Sequence, residues 1–290
     1  MGFKRVTYEI NEDTGEAREI GTEFMRQKYA RKARPSSERF VWARYELGAP
    51  WLQPLQRADA ARITFLSTFL TYDGFLSGGN HRALREEDVK PLIGLSERRF
   101  FDFWDLVKKR NIFYLKDGKI YPDKKLFRKG ELRSAAIAKN AERGVYFTRM
   151  YADVIQQLYR SVPPASVRVL GYIFQILPYV HREFNIVCHN PLETDFEKIR
   201  PLKLSEFCKL VGYNKRGSRR LLSQLTGMRV TVDGEEQPAV SYENYPARQL
   251  AYGIFINPNI YYAGSDILAV ELMGAFRRRD RIPERKEGEA

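Results

Sequence analysis

One order of predicted elements occurs twice along this chain, and that repeat restricts the fold more than any other feature. Each copy has an apolar helix, a short helix, a glycine turn, a second helix and two strands that flank an Asp-Gly pair. In both copies the turn glycine lies two positions before the residue expected to cap the next helix, as Gly94 and Ser96 and as Gly212 and Asn214. The chain is therefore expected to contain two related units.

The first copy begins with a buried helix predicted within 61–76, where apolar residues recur at helical spacing. A short helix over 86–93 then ends at the turn glycine, and a second helix, capped by Ser96, runs to about Arg110. The strands IFYL and KIYP flank Lys-Asp-Gly at 116–118, which predicts a β-hairpin with a tight turn.

The second copy begins with a helix predicted over 162–180, which a Pro-Pro pair opens and Pro178 closes. A helix from Ser205 to the turn glycine follows. A further helix is predicted over 215–226, and two strands are predicted around the Asp-Gly pair at 233–234. The order of elements is the same as in the first copy.

A helix, a turn, a second helix and a hairpin make up a winged helix, in which the steep crossing of the helices lets one of them enter the major groove of DNA. We therefore expect a helix-rich α+β protein with tandem winged-helix domains. The expected division is an N-terminal β-hairpin and basic arm (1–50), a first winged helix (51–130), a connecting helix or linker (131–160), a second winged helix (161–264) and a basic C-terminal tail (265–290).

The N-terminal part combines a predicted hairpin with a run of positive charge. Residues 3–20 alternate between apolar and polar on both sides of an Asp-Thr-Gly turn, which predicts two paired strands. The segment 24–44 has seven basic residues and one acidic residue. It is either a solvated linker or an arm that lies along a phosphate backbone.

The helix predicted over 215–226 has an apolar face and a basic surface. Leu221, Leu222 and Leu225 share the first, and the basic residues occupy the opposite side near the N-terminal half, where a recognition helix contacts bases. The segment 201–230 has seven basic residues and one acidic residue, an excess that favours contact with DNA over the alternative of a solvated helix face.

Within this copy, Arg216, Arg219 and Arg220 are expected to read bases, because guanidinium groups bind guanine edges through two hydrogen bonds. Lys215 and Ser218 are expected to contact the phosphate backbone. Gly217, unusual in a helix, either lets the backbone approach DNA or marks a distorted first turn. The candidate DNA-binding residues of the second copy are Asn214, Lys215, Arg216, Ser218, Arg219, Arg220 and Arg229.

The corresponding helix of the first copy is apolar most of the way round, so it must be covered on two sides. A neighbouring domain or a second protomer can provide this cover, and we expect a homodimer through the first winged helix. Five basic residues of this helix remain available for phosphates, namely Arg98, Arg99, Lys108, Lys109 and Arg110, and the first four are the candidate DNA-binding residues of this copy. The second copy is then expected to read the sequence, and the first mainly to dock or dimerise.

Charge and apolar pattern restrict the partners. With 49 basic and 36 acidic residues the formal charge is +13, which makes polyanions the first partners to consider. RNA is less favoured than DNA, because no aromatic stacking motif on strands is evident. The longest apolar stretch, about 14 residues interrupted by Arg168 and Gln175, is too short to span a bilayer. The N-terminus has no apolar signal segment and the chain has two cysteines, so we expect a cytoplasmic protein without membrane contact.

Residues for catalysis or metal binding are few. The histidines are His81, His181 and His189, and Cys188 and Cys208 lack the close pairing of a zinc site. The motifs of nucleotide-binding loops and serine hydrolases do not occur. We therefore expect no enzyme activity, no catalytic residue, no metal and no cofactor.

Three segments of the second half carry a resemblance: FNIVCHNPLE (184–193), KLSEFCKLVGYN (203–214) and GIFINPNIYYAG (253–264). They resemble winged-helix proteins of Gram-positive phages and plasmids, which are replication-initiator-like proteins or helix-turn-helix regulators, and the N-terminal YEINEDTGE is similar in character. The resemblance implies binding to an origin or operator without catalysis. The tandem arrangement is also similar to that of plasmid initiators in which one winged helix dimerises.

The expected function is sequence-specific binding of double-stranded DNA, as a replication initiator or a transcriptional regulator of a phage or plasmid. These two roles need the same contacts with DNA, and the sequence does not separate them. The alternative is a protein-interaction adaptor, in which the aromatic first domain provides the contact surface.

Overall fold

The computed structural model describes residues 7–10, 17–20, 39–48, 51–53, 55–79, 82–232, 234–244 and 252–264. Most of the expected basic arm and the whole of the expected basic tail (265–290) lie outside them, as does His81. Within these ranges the protein is a mixed α+β structure of short helices and small antiparallel sheets.

The α-helices of the described residues are α1 (Arg57–Ser67), α2 (Glu86–Ile93), α3 (Glu97–Lys109), α4 (Ser134–Ala141), α5 (Ala152–Ser161), α6 (Val167–Gln175), α7 (Leu204–Leu210) and α8 (Ser218–Thr226). The strands are β1 (Thr7–Ile10), β2 (Ala17–Ile20), β3 (Phe40–Glu46), β4 (Phe113–Lys116), β5 (Lys119–Pro122), β6 (Phe127–Arg128), β7 (Val145–Tyr151), β8 (Arg229–Val232), β9 (Glu235–Pro238), β10 (Val240–Asn244), β11 (Tyr252–Ile256) and β12 (Tyr261–Tyr262).

A four-stranded antiparallel sheet, in the order β12-β7-β3-β6, joins distant parts of the chain. Strand β3 pairs with β7 along its whole length, from Phe40 opposite Tyr151 to Glu46 opposite Val145. The remaining strands form two-stranded antiparallel sheets: β1 with β2, β4 with β5, β8 with β9, and β10 with β11. The pairing of β1 with β2 agrees with the two paired strands expected near the N-terminus, and the predicted Asp-Thr-Gly turn between them lies outside the described residues.

The helices predicted to end at the two glycine turns are confirmed. Helix α2 ends where Gly94 takes a left-handed conformation (φ 65°), and α7 is followed by Gly212 at φ 62°. In the first hairpin, Asp117 and Gly118 both have positive φ, as a two-residue turn between twisted strands requires. Ser96 precedes α3 as expected, but its side chain makes no capping hydrogen bond.

Two predicted helices have different bounds. The helix expected within 61–76 ends at Ser67, because Asp-Gly at 73–74 forms a turn that brings Leu70 opposite Leu76. The helix expected over 162–180 is divided into a 3₁₀ turn, α6 and a second 3₁₀ turn. Helix α6 stops at Gln175, whose backbone carbonyl accepts a hydrogen bond from the backbone N–H of Trp51 at 2.9 Å.

The segment 131–160, expected to be a connecting helix or linker, contains α4, β7 and α5. Strand β7 lies inside the four-stranded sheet and was not expected from the sequence. One hydrophobic core includes residues of β3, α1, α5, α6 and β12. Among the described helices, none combines the length and the apolar character needed to cross a membrane.

The centre of this core is the crossing of α1 and α6. All residues of α6 except Arg168 are buried, and Gly171 lies directly against the backbone of Arg57. A Cβ atom at Gly171 would lie 1.9 Å from the Arg57 carbonyl oxygen, well inside van der Waals contact. The two helices therefore cross closely because one of them has no side chain at this point.

We expect Gly171→Ala to lower the free energy of unfolding by about 3 kcal/mol or more, because the added methyl group must displace the backbone of α1. Chemical denaturation of the purified variant measures this change. Arg168→Ala, an exposed change on the same helix, is the control and should shift stability by less than about 0.5 kcal/mol. Equal stability of Gly171→Ala and the wild type would contradict the close crossing.

Candidate nucleic-acid interface

The segment predicted as one helix over 215–226 consists of a 3₁₀ turn at Lys215–Gly217 followed by α8. Asn214 caps it as expected, since its side-chain oxygen accepts a hydrogen bond from the Arg216 N–H at 3.0 Å. The backbone of Gly217 lies at the junction, with φ −94° and ψ 8°. Of the two explanations for this glycine, the distorted first turn is the one that the structure supports.

A neighbouring ring gives the reason for a glycine at this junction. A Cβ atom on Gly217 would lie 2.9 Å from the ring of Tyr213, closer than real Cβ contacts come. The absence of a side chain lets Tyr213 fold back over the first turn. The ring in turn makes an edge contact with Tyr172 of α6, with centroids 5.9 Å apart and planes at 88°.

Helix α8 buries one face and exposes its basic residues. Leu221 and Leu225 are fully buried against the core, and Ser218 is half-buried. Four basic residues at and before the start of α8 are exposed: Lys215, Arg216, Arg219 and Arg220. We call these four the basic cluster. None of them forms an ion pair with another residue that the structure describes.

A residue from the first half of the chain holds the turn before α8. The Arg57 guanidinium donates hydrogen bonds to the carbonyl of Val211, at 2.7 Å and 3.2 Å, and to that of Gly212 at 3.3 Å. These carbonyls follow the end of α7, where backbone acceptors lack helical partners. The positive charge also lies where a helix dipole is negative. Arg57 therefore fixes the turn between α7 and α8.

The same guanidinium lies 5.8 Å from the centre of the Tyr172 ring. A continuous set of contacts thus runs from Arg57 to Tyr172, on to Tyr213 and then to Gly217 at the start of the basic segment. This set was not found from the sequence, in which Arg57 is one arginine among many. No local signal connects a residue at position 57 with a turn at position 212.

The hairpin after α8 is attached to the rest of the fold through its first strand, β8. Gln157 of α5 accepts a hydrogen bond from the Thr231 N–H at 3.1 Å. Arg229, at the first position of β8, is exposed and lines a groove of about 440 Å³ together with Ser223 and Gln224. Arg229 therefore lies beyond the C-terminal part of α8, whereas the basic cluster lies at the other end of that helix.

The candidates of the first copy lie at both ends of α3. Arg98 and Arg99 are exposed near its start, and Lys108 and Lys109 are exposed near its end, roughly 15 Å away along the helix. Lys109 is paired with Asp105 at 2.7 Å, and this hydrogen bond raises the pKa of Lys109. Within the described residues, no hydrogen bond, ion pair or ring contact joins α3 to α8.

Helix α3 was expected to be covered on two sides, but the described residues cover only one of them. Phe100, Phe103, Trp104 and Val107 are buried on one side of the helix. Phe101 lies outside this face with 57% of its surface exposed. The fold therefore covers one side of α3 and leaves a large aromatic ring in contact with solvent.

Both cysteines are buried, and the histidines of the described residues contact neighbouring groups of the fold. Burial raises the pKa of Cys188 to about 12, so this thiol stays protonated at neutral pH. Burial lowers the pKa of His181, whose Nδ1 accepts hydrogen bonds from the N–H groups of Glu183 and Phe184 at 3.2 Å. His189 is exposed, 3.3 Å from Glu206. Among the residues described, no cluster of three or more His, Cys, Asp or Glu side chains could hold a metal ion.

No aromatic stacking motif on strands was evident from the sequence, yet the structure stacks two tyrosine rings on each other across the first hairpin. Tyr114 of β4 and Tyr121 of β5 are direct partners in the first hairpin, and their rings are stacked at 5.6 Å. The sequence contained the signal, because the two-residue turn at 117–118 fixes the register. Lys116 then pairs with Lys119, and the tyrosines meet two residues further along.

We expect Arg57→Ala to free the turn between α7 and α8 and to lower the free energy of unfolding by about 1–2 kcal/mol, since charged hydrogen bonds to two carbonyls are lost. Arg57→Lys should recover only part of the lost free energy of unfolding, because an ammonium group cannot reproduce the planar set of donors of a guanidinium. Hydrogen exchange at the amides of Tyr213 and Gly217 reports the turn directly.

The control is Arg98→Ala, which removes an exposed arginine elsewhere and should leave these two amides protected. Unchanged protection of Tyr213 and Gly217 in Arg57→Ala would show that the turn holds without the guanidinium.

The comparisons with known proteins add no family to these observations. No protein-family model matches the chain, and the searches of curated proteins and of solved structures returned no match.

Proposed function

We propose that this protein binds double-stranded DNA at a specific site, with the start of α8 in the major groove. The observation that carries the proposal is the basic cluster. Its four cationic side chains are exposed and have no ion-pair partner among the described residues, while the opposite face of α8 is buried in the core. Such charges lower the free energy of a complex with a polyanion by releasing counterions from it.

The proposed architecture is a pair of winged helices. In the second, α7, the glycine turn and α8 form the helix-turn-helix, and β8 with β9 forms the wing. In the first, α2, α3, β4 and β5 take the same parts. The matching order of elements around Gly94 and Gly212 supports this assignment. The hydrogen bond from the Thr231 N–H to Gln157 attaches β8, the first strand of the second wing, to α5.

The proposed roles of the residues follow from their placement. Arg216, Arg219 and Arg220 contact bases, since a recognition helix presents its N-terminal residues to the groove. Lys215 contacts phosphate. Asn214 and Ser218 have less freedom, because the Asn214 oxygen caps the 3₁₀ turn and Ser218 is half-buried. Arg98, Arg99 and Lys108 supply weaker phosphate contacts, and Lys109 least, because Asp105 pairs with it.

The biological role that we propose is replication initiation or transcriptional control for a phage or plasmid, without catalysis and in the cytoplasm. The support is the resemblance of the segments 184–193, 203–214 and 253–264 to winged-helix proteins of such elements. Both roles require the same contacts with a duplex. Mapping where the protein binds, at an origin of replication or at a promoter, separates them.

We expect selection from a random duplex pool to yield a defined site. On that site, Arg216→Ala, Arg219→Ala and Arg220→Ala should each weaken binding by about 5- to 150-fold and relax the preference at one position, as lost guanidinium–base contacts do. The double variant Arg98→Ala/Arg99→Ala should weaken binding to all duplexes alike and less strongly. Fluorescence anisotropy at several salt concentrations measures both effects.

The matched control is Arg168→Ala, which removes an exposed arginine from α6. A pool that yields no preferred site would contradict sequence-specific binding. Equal losses for the α8 and α3 variants would contradict the division of roles between the two copies.

The first copy is proposed to form a homodimer through α3, supported by the exposed ring of Phe101. Phe101→Ser should weaken self-association about tenfold, because a large apolar surface is removed from the contact. Sedimentation equilibrium over a range of protein concentrations measures this. Tyr252→Ser, at a ring of β11 that is 50% exposed, is the control.

A wild-type protein that stays monomeric at all concentrations would contradict the homodimer. The exposed Phe101 then favours the second candidate function, an adaptor that binds a different protein through the aromatic first domain. Duplex binding separates the two functions, because an adaptor does not require the basic cluster.

A further inference from the structure

The outer face of the first hairpin carries a set of aromatic and basic side chains that the proposed duplex contact does not use. Residues two apart in a strand share a face, and the register places Tyr114 opposite Tyr121 and Lys116 opposite Lys119. These four residues therefore lie on one face of the hairpin. Phe113 and Ile120 belong to the other face and are fully buried in the core.

The aromatic rings of this face form a row that extends to a neighbouring loop. The rings of Tyr114 and Tyr121 are stacked, with centroids 5.6 Å apart and planes at 15°. Phe75 meets the other side of the row, 6.3 Å from Tyr121. Tyr114 is 39% exposed, and Tyr121 and Phe75 are partly exposed. We call Phe75, Tyr114, Lys116, Lys119 and Tyr121 the hairpin face.

The charge of the hairpin face is positive. The Lys119 ammonium lies 4.8 Å from the centre of the Phe75 ring, and neither Lys116 nor Lys119 forms an ion pair with a described residue. The surrounding segment 112–129 has six basic residues and two acidic residues. Aromatic rings and ammonium groups are thus presented side by side to solvent.

This combination fits single-stranded nucleic acid better than a duplex. In a duplex the flat faces of the bases are covered by their neighbours, so an aromatic side chain cannot stack on them. Unpaired bases offer these faces, and proteins that bind single strands combine aromatic stacking with basic groups along the backbone. A protein partner of matching chemistry would have to bring acidic groups to both lysines as well as an apolar surface to the rings.

We propose that the hairpin face binds single-stranded nucleic acid, with an unpaired base stacked on the face of the Tyr114 ring that Tyr121 does not cover and with adjacent phosphates paired with Lys116 and Lys119. The inference concerns a second surface and does not depend on duplex binding by α8. Single-stranded DNA and single-stranded RNA share the recognised groups, a base face and a phosphate.

The test uses the full chain and a fluorescently labelled oligothymidylate of about twenty nucleotides, a length that covers the site of one small binding domain. Tyr114→Ala, at an exposed ring, should weaken binding about tenfold, as the loss of one stacked base does. Tyr114→Phe keeps the ring and should bind like the wild type. Tyr252→Ala removes a stacked, exposed tyrosine from the sheet of β10 and β11 and is the matched control.

Two further measurements separate stacking from charge. An abasic strand of the same length keeps the phosphates but has no bases, and it should bind about tenfold more weakly than oligothymidylate. Affinity falls as salt concentration rises, and each phosphate contact on a single strand adds about 0.7 to the steepness of that fall on logarithmic axes. The double variant Lys116→Gln/Lys119→Gln should therefore make the dependence shallower by about 1.4. Oligouridylate in a parallel experiment compares RNA with DNA, and binding of either strand supports the proposal.

The proposal is overturned if Tyr114→Ala binds oligothymidylate as tightly as the wild type, or if the abasic strand binds equally well. It is also overturned if Tyr114→Ala converts a dimer to a monomer in sedimentation while leaving strand binding unchanged, because the face then joins two copies of the chain. Loss of duplex binding in the α8 arginine variants, with single-strand binding retained, shows that the two surfaces act separately.

Discussion

The hydrogen bonds from the Arg57 guanidinium to the carbonyls that follow α7 hold the turn that leads into α8. Those carbonyls belong to the glycine turn, 154 and 155 positions along the chain from the arginine that they bind. A backbone acceptor at a helix end needs a donor, and an arginine supplies several in a fixed plane. The turn that leads into α8 is therefore held in part from outside its own half of the chain, through a contact that no short segment contains.

The crossing of α1 and α6 makes that reach possible. Because Gly171 has no side chain, α1 lies against α6 closely enough that Arg57 can extend past Tyr172 to the turn. Tyr172 then meets Tyr213, and Tyr213 lies over Gly217. Two glycines and two tyrosines thus connect the centre of the core with the start of α8. The proposed DNA contact uses residues whose position depends on this core, although none of them belongs to it.

Local features of the fold could be predicted from the sequence, and long-range ones could not. The glycine turns, the cap at Asn214 and the bounds of α2 follow from the chemistry of neighbouring residues, as does the exposure of the basic cluster opposite Leu221. The pairing of β3 with β7 joins segments about a hundred residues apart. The spacing of apolar residues can predict a strand, but it does not reveal which other strand will pair with it. The Arg57 contact was missed for the same reason. The stacked tyrosines were missed although the turn at 117–118 determines their register.

The separation of packing residues from exposed residues around α8 has a consequence for how such a protein can change. Tyr213, Gly217, Leu221 and Leu225 are constrained by neighbours in the fold, whereas Lys215, Arg216, Arg219 and Arg220 project into solvent. Exchanges at the second set alter the pattern of donors and charges while leaving the scaffold intact. New recognition preferences can therefore arise by drift at a handful of positions, without a compensating repair elsewhere.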